Sequence, residues 1–187
     1  MLIYILAGLL VLLVAGGILI YNGLVQKSQM AENGWSDIDV QLKRRANLVP
    51  QLVRAVQGYA AHERELFAEV AEKRAAALAA GDDLVSRGAA ETALSQPVAR
   101  LMAVAEDYPD MKASDNFLEL QKELSDTEDK IEMARRFYNG AVRELNTAVQ
   151  SFPGNLMAVP FGFGQRQYFE VDMPDRALPD VGFGGTA

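Results

Sequence analysis

The chain begins with an apolar stretch, and long helical patterns follow it. Residues 1–21 contain no charged side chain, and at about 1.5 Å per residue a helix of this length spans roughly 30 Å, the thickness of the hydrocarbon core of a bilayer. Tyr4 and Tyr21 lie near its two ends, where aromatic residues of membrane helices are enriched. The pattern therefore predicts a transmembrane helix over residues 1–21 that anchors the chain in the lipid bilayer.

A cleaved signal peptide is the competing interpretation of this stretch. Such a peptide has a basic segment before a shorter apolar core, and a cleavage site made of small residues. Only the cleavage site has a loose counterpart here, at Val14-Ala15-Gly16. We therefore favour an uncleaved, single-pass anchor. Because Lys27 follows the apolar stretch and no basic side chain precedes it, the positive-inside bias favours a cytoplasmic position for the rest of the chain.

Four amphipathic helices are predicted between the apolar stretch and residue 151. Apolar residues recur there at intervals of three and four, the spacing of one face of a helix. The predicted helices span residues 22–46, 48–79, 89–106 and 115–151. Since no segment alternates like a strand, the pattern predicts an all-α protein, in which an N-terminal transmembrane helix carries an antiparallel four-helix bundle over residues 22–152.

The first boundary between helices rests on a proline. Pro50 cannot lie deep inside a helix without losing a backbone hydrogen bond and clashing with the preceding turn, at a cost of about 3 kcal/mol. If Asn47 is the N-cap of a new helix, Pro50 falls in its first turn, where the missing N–H is no loss. The sequence thus predicts a break at residues 47–50, either a reversal of the chain or a kink.

Three further signals limit the remaining helices. Gly81-Asp82-Asp83 follows an alanine-rich stretch and ends the second helix. Pro97 lies in the third helix and predicts a kink or a late start there. Tyr108 and Pro109 predict a turn, and Ser114 is the expected cap of the fourth helix.

The residues after the fourth helix predict an extended tail. Residues 153–187 are rich in glycine and phenylalanine and cannot form a regular helix. We expect aromatic side chains of this tail to dock on the bundle. The alternative is that Phe161 and Phe163 pack on a neighbouring subunit, because exposed aromatic patches mark contact sites.

Composition argues against nucleic acid and against several kinds of catalysis. The chain has 18 basic and 25 acidic residues, whereas a nucleic-acid partner needs a basic face. It has no cysteine and one histidine, His62. His62-Glu63 lacks the second histidine of a zinc-protease helix, since Leu66 occupies that position. We predict no catalytic residue, no metal site and no cofactor.

The charged residues are assigned to surfaces. A cluster of carboxylates on the fourth helix lacks the spacing of a calcium loop and predicts a solvated face: Asp126, Glu128, Asp129 and Glu132. Cations near the break and on the fourth helix are predicted contacts for an acidic partner or anionic lipid headgroups: Lys43, Arg44, Arg45, Arg54, Arg135 and Arg136. For the first cluster, complementing the dipole at the end of a helix is an equal alternative.

Taken together, these motifs resemble the LemA family of bacterial membrane proteins. The matching segments of the first half are Gln41 to Arg45, Leu48 to Val53, Gly58-Tyr59 and His62-Glu63. Those of the second half are Glu106 to Ala113, Asn116-Phe117, Ala134 to Arg136, Tyr138-Asn139, Phe152-Pro153 and Gly162-Phe163.

The chain also departs from the family pattern. Ala46 and Asn47 stand where the family commonly has His-Asp, and Pro97 and Pro160 are unusual. An amide cannot replace an aspartate in acid–base chemistry, so the departure at Asn47 favours a capping role.

The resemblance implies a helical bundle on a single anchor in a bacterial membrane, without established catalysis. Some relatives are associated with magnetosome membranes, and others are encoded near membrane proteases. We therefore predict a non-catalytic scaffold protein that forms a homo-oligomer at the inner membrane, with its bundle on the cytoplasmic side. Two alternatives remain: a regulatory adaptor for a membrane protease, and a homo-oligomer that remodels the membrane.

Overall fold

The computed structural model describes residues 1–171, of which 82% are helical and none lies in a strand. In chain order the helices are α1 (Leu2–Gln57), α2 (Arg64–Ala79), α3 (Leu84–Glu106), α4 (Pro109–Lys112), α5 (Asp115–Gln150) and α6 (Gly154–Ala158). The predicted all-α fold class is confirmed. The last part of the predicted tail, residues 172–187, lies outside the described residues.

The apolar stretch and the first helix of the domain form one continuous helix. α1 has 56 residues, and within the described part of the chain it is the one helix long and apolar enough to cross a membrane. The most apolar part of α1 contains no buried residue, which distinguishes α1 from the core helix of a globular domain. From Leu24 onwards, α1 buries one face against the rest of the fold.

The predicted end of one helix and start of another at residues 47–50 is wrong, and the chain does not reverse there. α1 continues for about two turns beyond Pro50, so Asn47 lies inside the helix and caps nothing. A proline leaves the carbonyl four residues earlier without its N–H donor. Here that carbonyl belongs to Ala46, and the Arg74 side chain of α2 donates to it from Nε at 2.6 Å. A contact between two helices therefore compensates for the proline.

The chain reverses after α1 ends at Gln57, beyond the predicted break. The single helix expected over residues 48–79 is divided between the end of α1 and α2, and residues 58–63 form the connection. At the end of α2, Gly81 adopts a left-handed φ of 64°, a conformation that glycine takes without steric cost. The predicted stop at Gly81-Asp82-Asp83 is thus confirmed.

The later helix starts follow from their caps. α3 begins five residues before the predicted position 89, because the carboxylate of Asp83 accepts a hydrogen bond from the N–H of Ser86 at 2.8 Å. Hydrogen bonds from the side chain and from the backbone of Ser86 hold the pKa of Asp83 below its ordinary value. Pro97 is buried inside α3. The hydroxyl of Ser114 accepts from the N–H of Phe117 at 3.4 Å and caps α5 as predicted.

The remaining connections are short. Tyr108 precedes α4, and Pro109 occupies the first position of that helix. After α5 the predicted tail is not extended throughout, since α6 forms at Gly154–Ala158. Residues 164–171 have no regular secondary structure.

α1 and α5 form the long axis of the fold and run antiparallel, since Lys27 pairs with Glu144 and Arg45 with Glu128. The buried apolar residues form two clusters. The cluster far from the apolar stretch joins the end of α1 to α2, α3, α4 and the start of α5. The nearer cluster joins α1 to the second half of α5 and to residues Phe169 and Val171.

Candidate functional site

A cluster of charged side chains lies between α1, α3 and α5. Arg45 is only 2% exposed. One terminal nitrogen of its guanidinium donates to Glu128 Oε1 at 3.0 Å and to Ser95 Oγ at 3.2 Å, and the other donates to the carboxylate of Glu91. Glu91 also accepts from Arg87 Nε at 3.0 Å. The two carboxylates therefore hold Arg45 from two different helices.

The cluster extends to the surface of α1 and is electrically balanced. Asp39 accepts from Arg87 at 3.4 Å and from Lys43 at 2.6 Å. Three cations thus meet three carboxylates. Burial opposes the charge of Arg45, but the carboxylates of Glu128 and Glu91 together outweigh it and raise the pKa of Arg45 above its ordinary value. Such a network holds helices together and leaves no free base for chemistry.

Two sequence predictions about these residues are wrong. Arg45 was expected on a contact surface, but its guanidinium is buried where no partner can reach it. Glu128 was expected on a solvated face, but it bonds Arg45. Because α1 continues through Pro50, Lys43, Arg44 and Arg45 lie in the interior of a helix and complement no helix end, whereas Arg54 lies in the last turn of α1.

The other predicted contact cations are distributed over the surface. Lys43, Arg44, Arg54 and Arg136 are exposed. Arg54 donates from Nε to the carbonyl of its own helix at Pro50, at 3.2 Å. Arg135 instead points to the C-terminal part of the chain and donates to the carbonyl of Val171 at 2.7 Å. Arg136, the chain neighbour of Arg135, pairs with Glu132 of its own helix instead.

Residues 164–171, which we call the docked segment, run along α5 and are bonded by its side chains. Asn146 donates from Nδ2 to the carbonyl of Arg166 at 2.9 Å and accepts from the N–H of Arg166 at 2.8 Å. Asn139 does the same with Phe169, at 3.1 Å and 2.9 Å. Each asparagine thereby satisfies both backbone groups of one residue, as a neighbouring strand would do.

We call the paired hydrogen bonds of Asn139 and Asn146 the asparagine ladder. The distance between the two asparagines along α5 matches the distance between the two residues that they bind in the docked segment. Seven residues of α-helix, from Asn139 to Asn146, rise about 10.5 Å, and three extended residues, from Arg166 to Phe169, span about 10 Å. The hydroxyl of Tyr138 donates to the carbonyl of Gln167 at 2.9 Å between these two rungs. A helix can therefore bind an extended chain in register through residues one heptad apart.

Aromatic packing and a glycine complete the docking of the segment. The side chain of Phe169 is fully buried, and its ring meets that of Trp35 edge to face with centroids 5.2 Å apart. Gly88 of α3 lets the backbone approach, because a Cβ there would collide with the carbonyl oxygen of Glu170. Burial raises the pKa of Tyr138, an effect that the nearby charge of Arg166 opposes. Tyr138 therefore remains a hydrogen-bond donor at neutral pH.

An open groove of about 640 Å³ lies beside the docked segment. Its walls include Trp35, Asp39, Asp82, Tyr138 and Arg166. Within residues 1–171 no group of three His, Cys, Asp or Glu side chains could hold a metal ion. The groove offers an aromatic face with both charge signs, which suits binding better than catalysis.

The predicted aromatic contacts of the tail lie close to the apolar stretch. Phe161 and Phe163 meet Tyr21 edge to face, with ring centroids 5.0 Å and 5.7 Å apart. The described part of the tail thus packs on its own chain. Sequence reasoning missed the hydrogen bonds of the two asparagines, although Asn139 and Asn146 lie one heptad apart on the same side of the helix as Val142.

The fold and the site together define an all-α protein that carries an exposed apolar helix and whose buried charged side chains bond one another between helices. The LemA family profile matches residues 34–183, so the chain belongs to the LemA family, which confirms the resemblance seen in the motifs. With the exposed apolar part of α1, this identifies a membrane-associated protein.

Several curated relatives are similar to the chain. Magnetosome proteins MamQ 1 and MamQ 2 of Paramagnetospirillum magneticum are each 27% identical over 175 residues, covering 80% of this chain and 64% of their own length. MamQ of Magnetospirillum gryphiswaldense is 26% identical with the same coverage. Protein LemA of Metamycoplasma hominis is 26% identical over 86% of this chain and 73% of its own length. The chain therefore spans about 64% of the MamQ proteins that it matches.

Proposed function

We propose that this protein is a non-catalytic scaffold that is anchored in the membrane and associates with copies of itself there. The observation that carries this proposal is the continuity of α1. Because one helix contains both the apolar stretch and a wall of the core, the domain is held at the membrane without a flexible linker. From Asn22 to Gln57 this helix projects about 54 Å from the membrane.

The charge cluster around Arg45 supports a non-catalytic role. Catalytic acids and bases need access to a substrate and a proton that can be transferred. Glu91 is buried and bonded to two arginines, and Glu128 is bonded to Arg45. These carboxylates therefore serve the fold, and the surfaces remain for binding.

An apolar strip on α5 supports self-association. Met133 and Phe137 are both exposed and lie four residues apart, which makes them neighbours on the helix surface. They lie away from the side of α5 that binds the docked segment, and the ring of Phe137 packs against Gly34 of α1. Methionine and phenylalanine are enriched at the centres of protein interfaces. We call this strip the outer face and propose that a second copy covers it.

Cross-linking of single cysteines in native membranes tests this proposal. The chain contains no cysteine, so Met133→Cys introduces one thiol. We expect a disulfide-linked dimer on oxidation, and we expect less of it when Phe137→Lys is added. Leu118→Cys, also exposed and apolar on α5, is the matched control and should stay monomeric. If Met133→Cys stays monomeric at native expression, self-association through this face is refuted. An adduct to a membrane protease alone would favour an adaptor role instead.

We further propose that α1 crosses the bacterial inner membrane once, with the domain in the cytoplasm. The support is the position of Lys27, the first charged residue after the apolar stretch. Ser36→Cys is suited to the test because Ser36 is exposed. An impermeant maleimide should label this cysteine after lysis and leave it unlabelled in intact cells. Labelling in intact cells would reverse the orientation.

A further inference from the structure

A second apolar surface lies outside the long apolar stretch. Residues 145–165 contain no charged side chain. Within this run, α6 and its flanks expose large apolar groups, since Phe152 is 79%, Leu156 63%, Val159 82% and Phe161 55% exposed. No described part of the chain covers them. Exposed apolar patches of this kind mark a contact with a partner or with a membrane.

This surface is continuous with the apolar stretch of α1. A Cβ at Gly17 would lie 3.8 Å from the methyl group of Met157 in α6. Four residues later, Tyr21 packs on Phe161. An apolar groove of about 370 Å³ lies between the two elements and has no polar lining. The second uncharged run of the sequence is therefore placed beside the first.

The depth of α6 relative to the membrane follows from these contacts. Gly17 precedes Tyr21 by about 6 Å along α1. If Tyr21 marks the membrane boundary, α6 lies within the 5–10 Å to which interfacial helices typically insert. The residues after α6 form a turn, and the hydrocarbon core does not tolerate lipid-exposed irregular backbone, so the segment belongs at the boundary between headgroups and acyl chains.

The charged side chains nearest to the uncharged runs indicate where the aqueous part of the fold begins. The first charged residue of α1 is Lys27, which pairs with Glu144 at 2.9 Å. Arg166 pairs with Glu32 at 3.2 Å, about one turn further from the membrane. Both pairs flank the uncharged run of residues 145–165 on its aqueous side. On α1, on α5 and on the docked segment, charged side chains thus begin on the same side of the two uncharged runs, within about two helical turns of each other.

We propose that residues 152–163, the interfacial segment, insert into the membrane boundary next to α1 and form a second contact with lipid. The proposal rests on the anchoring of α1 proposed above. The bilayer is the occupant because the patch joins the apolar stretch without interruption, and the charged pairs that flank it lie on its aqueous side. The two contacts together fix the orientation of the domain relative to the membrane.

Fluorescence quenching in vesicles tests the interfacial segment. The full chain carrying Leu156→Cys is labelled with an environment-sensitive fluorophore and reconstituted into phosphatidylcholine and phosphatidylglycerol vesicles. Matched proteins carry the label at Leu118→Cys, in the domain, or at Leu10→Cys, in the apolar stretch. The lipids carry a quencher either near the headgroup or near the end of the acyl chain. Unchanged emission of Trp35, the single tryptophan, verifies that each variant is folded.

We expect the label at Leu156 to emit at shorter wavelength than the label at Leu118 and to be quenched most by the shallow quencher. The label at Leu10 should be quenched most by the deep quencher. If Leu10 is quenched and Leu156 is not, the interfacial segment is refuted while the anchor stands. A label at Leu156 that is shielded from water but unquenched shows that protein covers the patch, which also refutes the proposal. If neither label is quenched, the anchor fails, and the interfacial segment fails with it.

Discussion

Replacing Asn139 by alanine should release the docked segment from α5. The substitution removes two hydrogen bonds, which Asn139 makes with the N–H and the carbonyl of Phe169. A hydrogen bond contributes about 0.5–1.5 kcal/mol net, so docking should weaken by about 1–3 kcal/mol. At 1.4 kcal/mol per factor of ten, this raises the equilibrium constant for opening by about 5- to 150-fold.

Two measurements report on this opening. Trp35 is the single tryptophan, and its ring packs on Phe169, so its emission should shift to longer wavelength as the segment leaves. Hydrogen exchange of the Phe169 amide should accelerate by at least the same factor as the opening constant, provided that reclosing is faster than exchange, because the substitution also removes the acceptor of this N–H. The amides in the middle of α5 should keep their protection, because the change is local.

Asn33→Ala is the matched control. Asn33 is exposed in the interior of α1, so the control carries the gain in helix propensity that replacing asparagine by alanine brings inside a helix, about 0.5–0.7 kcal/mol. The difference between the two variants isolates the ladder. If Asn139→Ala leaves both the Phe169 amide and the Trp35 emission as in the native protein, side chains of α5 do not hold the segment, and the reasoning from the ladder is refuted.

Three other predictions follow from the site. Gly88→Ala should lower the melting temperature, because its methyl group collides with the docked segment. Gly140→Ala, which has open space around its methyl group, should gain about 1 kcal/mol of helix stability. Equal shifts of the melting temperature in the two variants would contradict the collision at Gly88. Arg45→Met should cost up to about 3–5 kcal/mol in urea denaturation, since it leaves half-buried Glu128 without its cation and buried Glu91 with Arg87 alone. Exposed Lys43→Met should cost about 0–1 kcal/mol; similar losses would count against a buried network. Burial raises the pKa of Tyr138. The contribution of Tyr138 to stability is therefore complete below the ordinary tyrosine pKa of about 10, and it is lost as the pH rises through the pKa of the folded protein. Alkaline titration of fluorescence should show this loss in the native protein and not in Tyr138→Phe.

The sequence predicted those elements whose signals are local. The apolar stretch, the cap at Ser114 and the stop at Gly81 each depend on residues within a few positions, and each has the predicted local structure. The continuation of α1 through Pro50 depends on Arg74, which lies 28 residues beyond the carbonyl that it bonds. Propensity alone gives the cost of a proline, but the compensating donor comes from tertiary structure.

The burial of Arg45 was visible in part. Arg45 lies three residues after Leu42 and four before Val49, which places it on the buried stripe of α1. A guanidinium on such a stripe requires carboxylates opposite it, and the sequence offers many. Which of them meet Arg45 depends on how α3 and α5 rotate against α1, so the pairing with Glu91 and Glu128 could not be read from spacing.

The same tertiary contacts connect the domain to the apolar stretch of α1. α5 ends beside the start of the aqueous part of α1, the interfacial segment follows, and the docked segment returns along both helices. The end of α5, the interfacial segment and the docked segment thus all contact α1 near the residues where it would leave the bilayer. A junction braced in this way transmits the orientation of the domain to the apolar stretch. If copies pair through the outer face on α5, the spacing and tilt of their apolar stretches are therefore set by the domains, and an assembly of such copies would impose its geometry on the membrane beneath it.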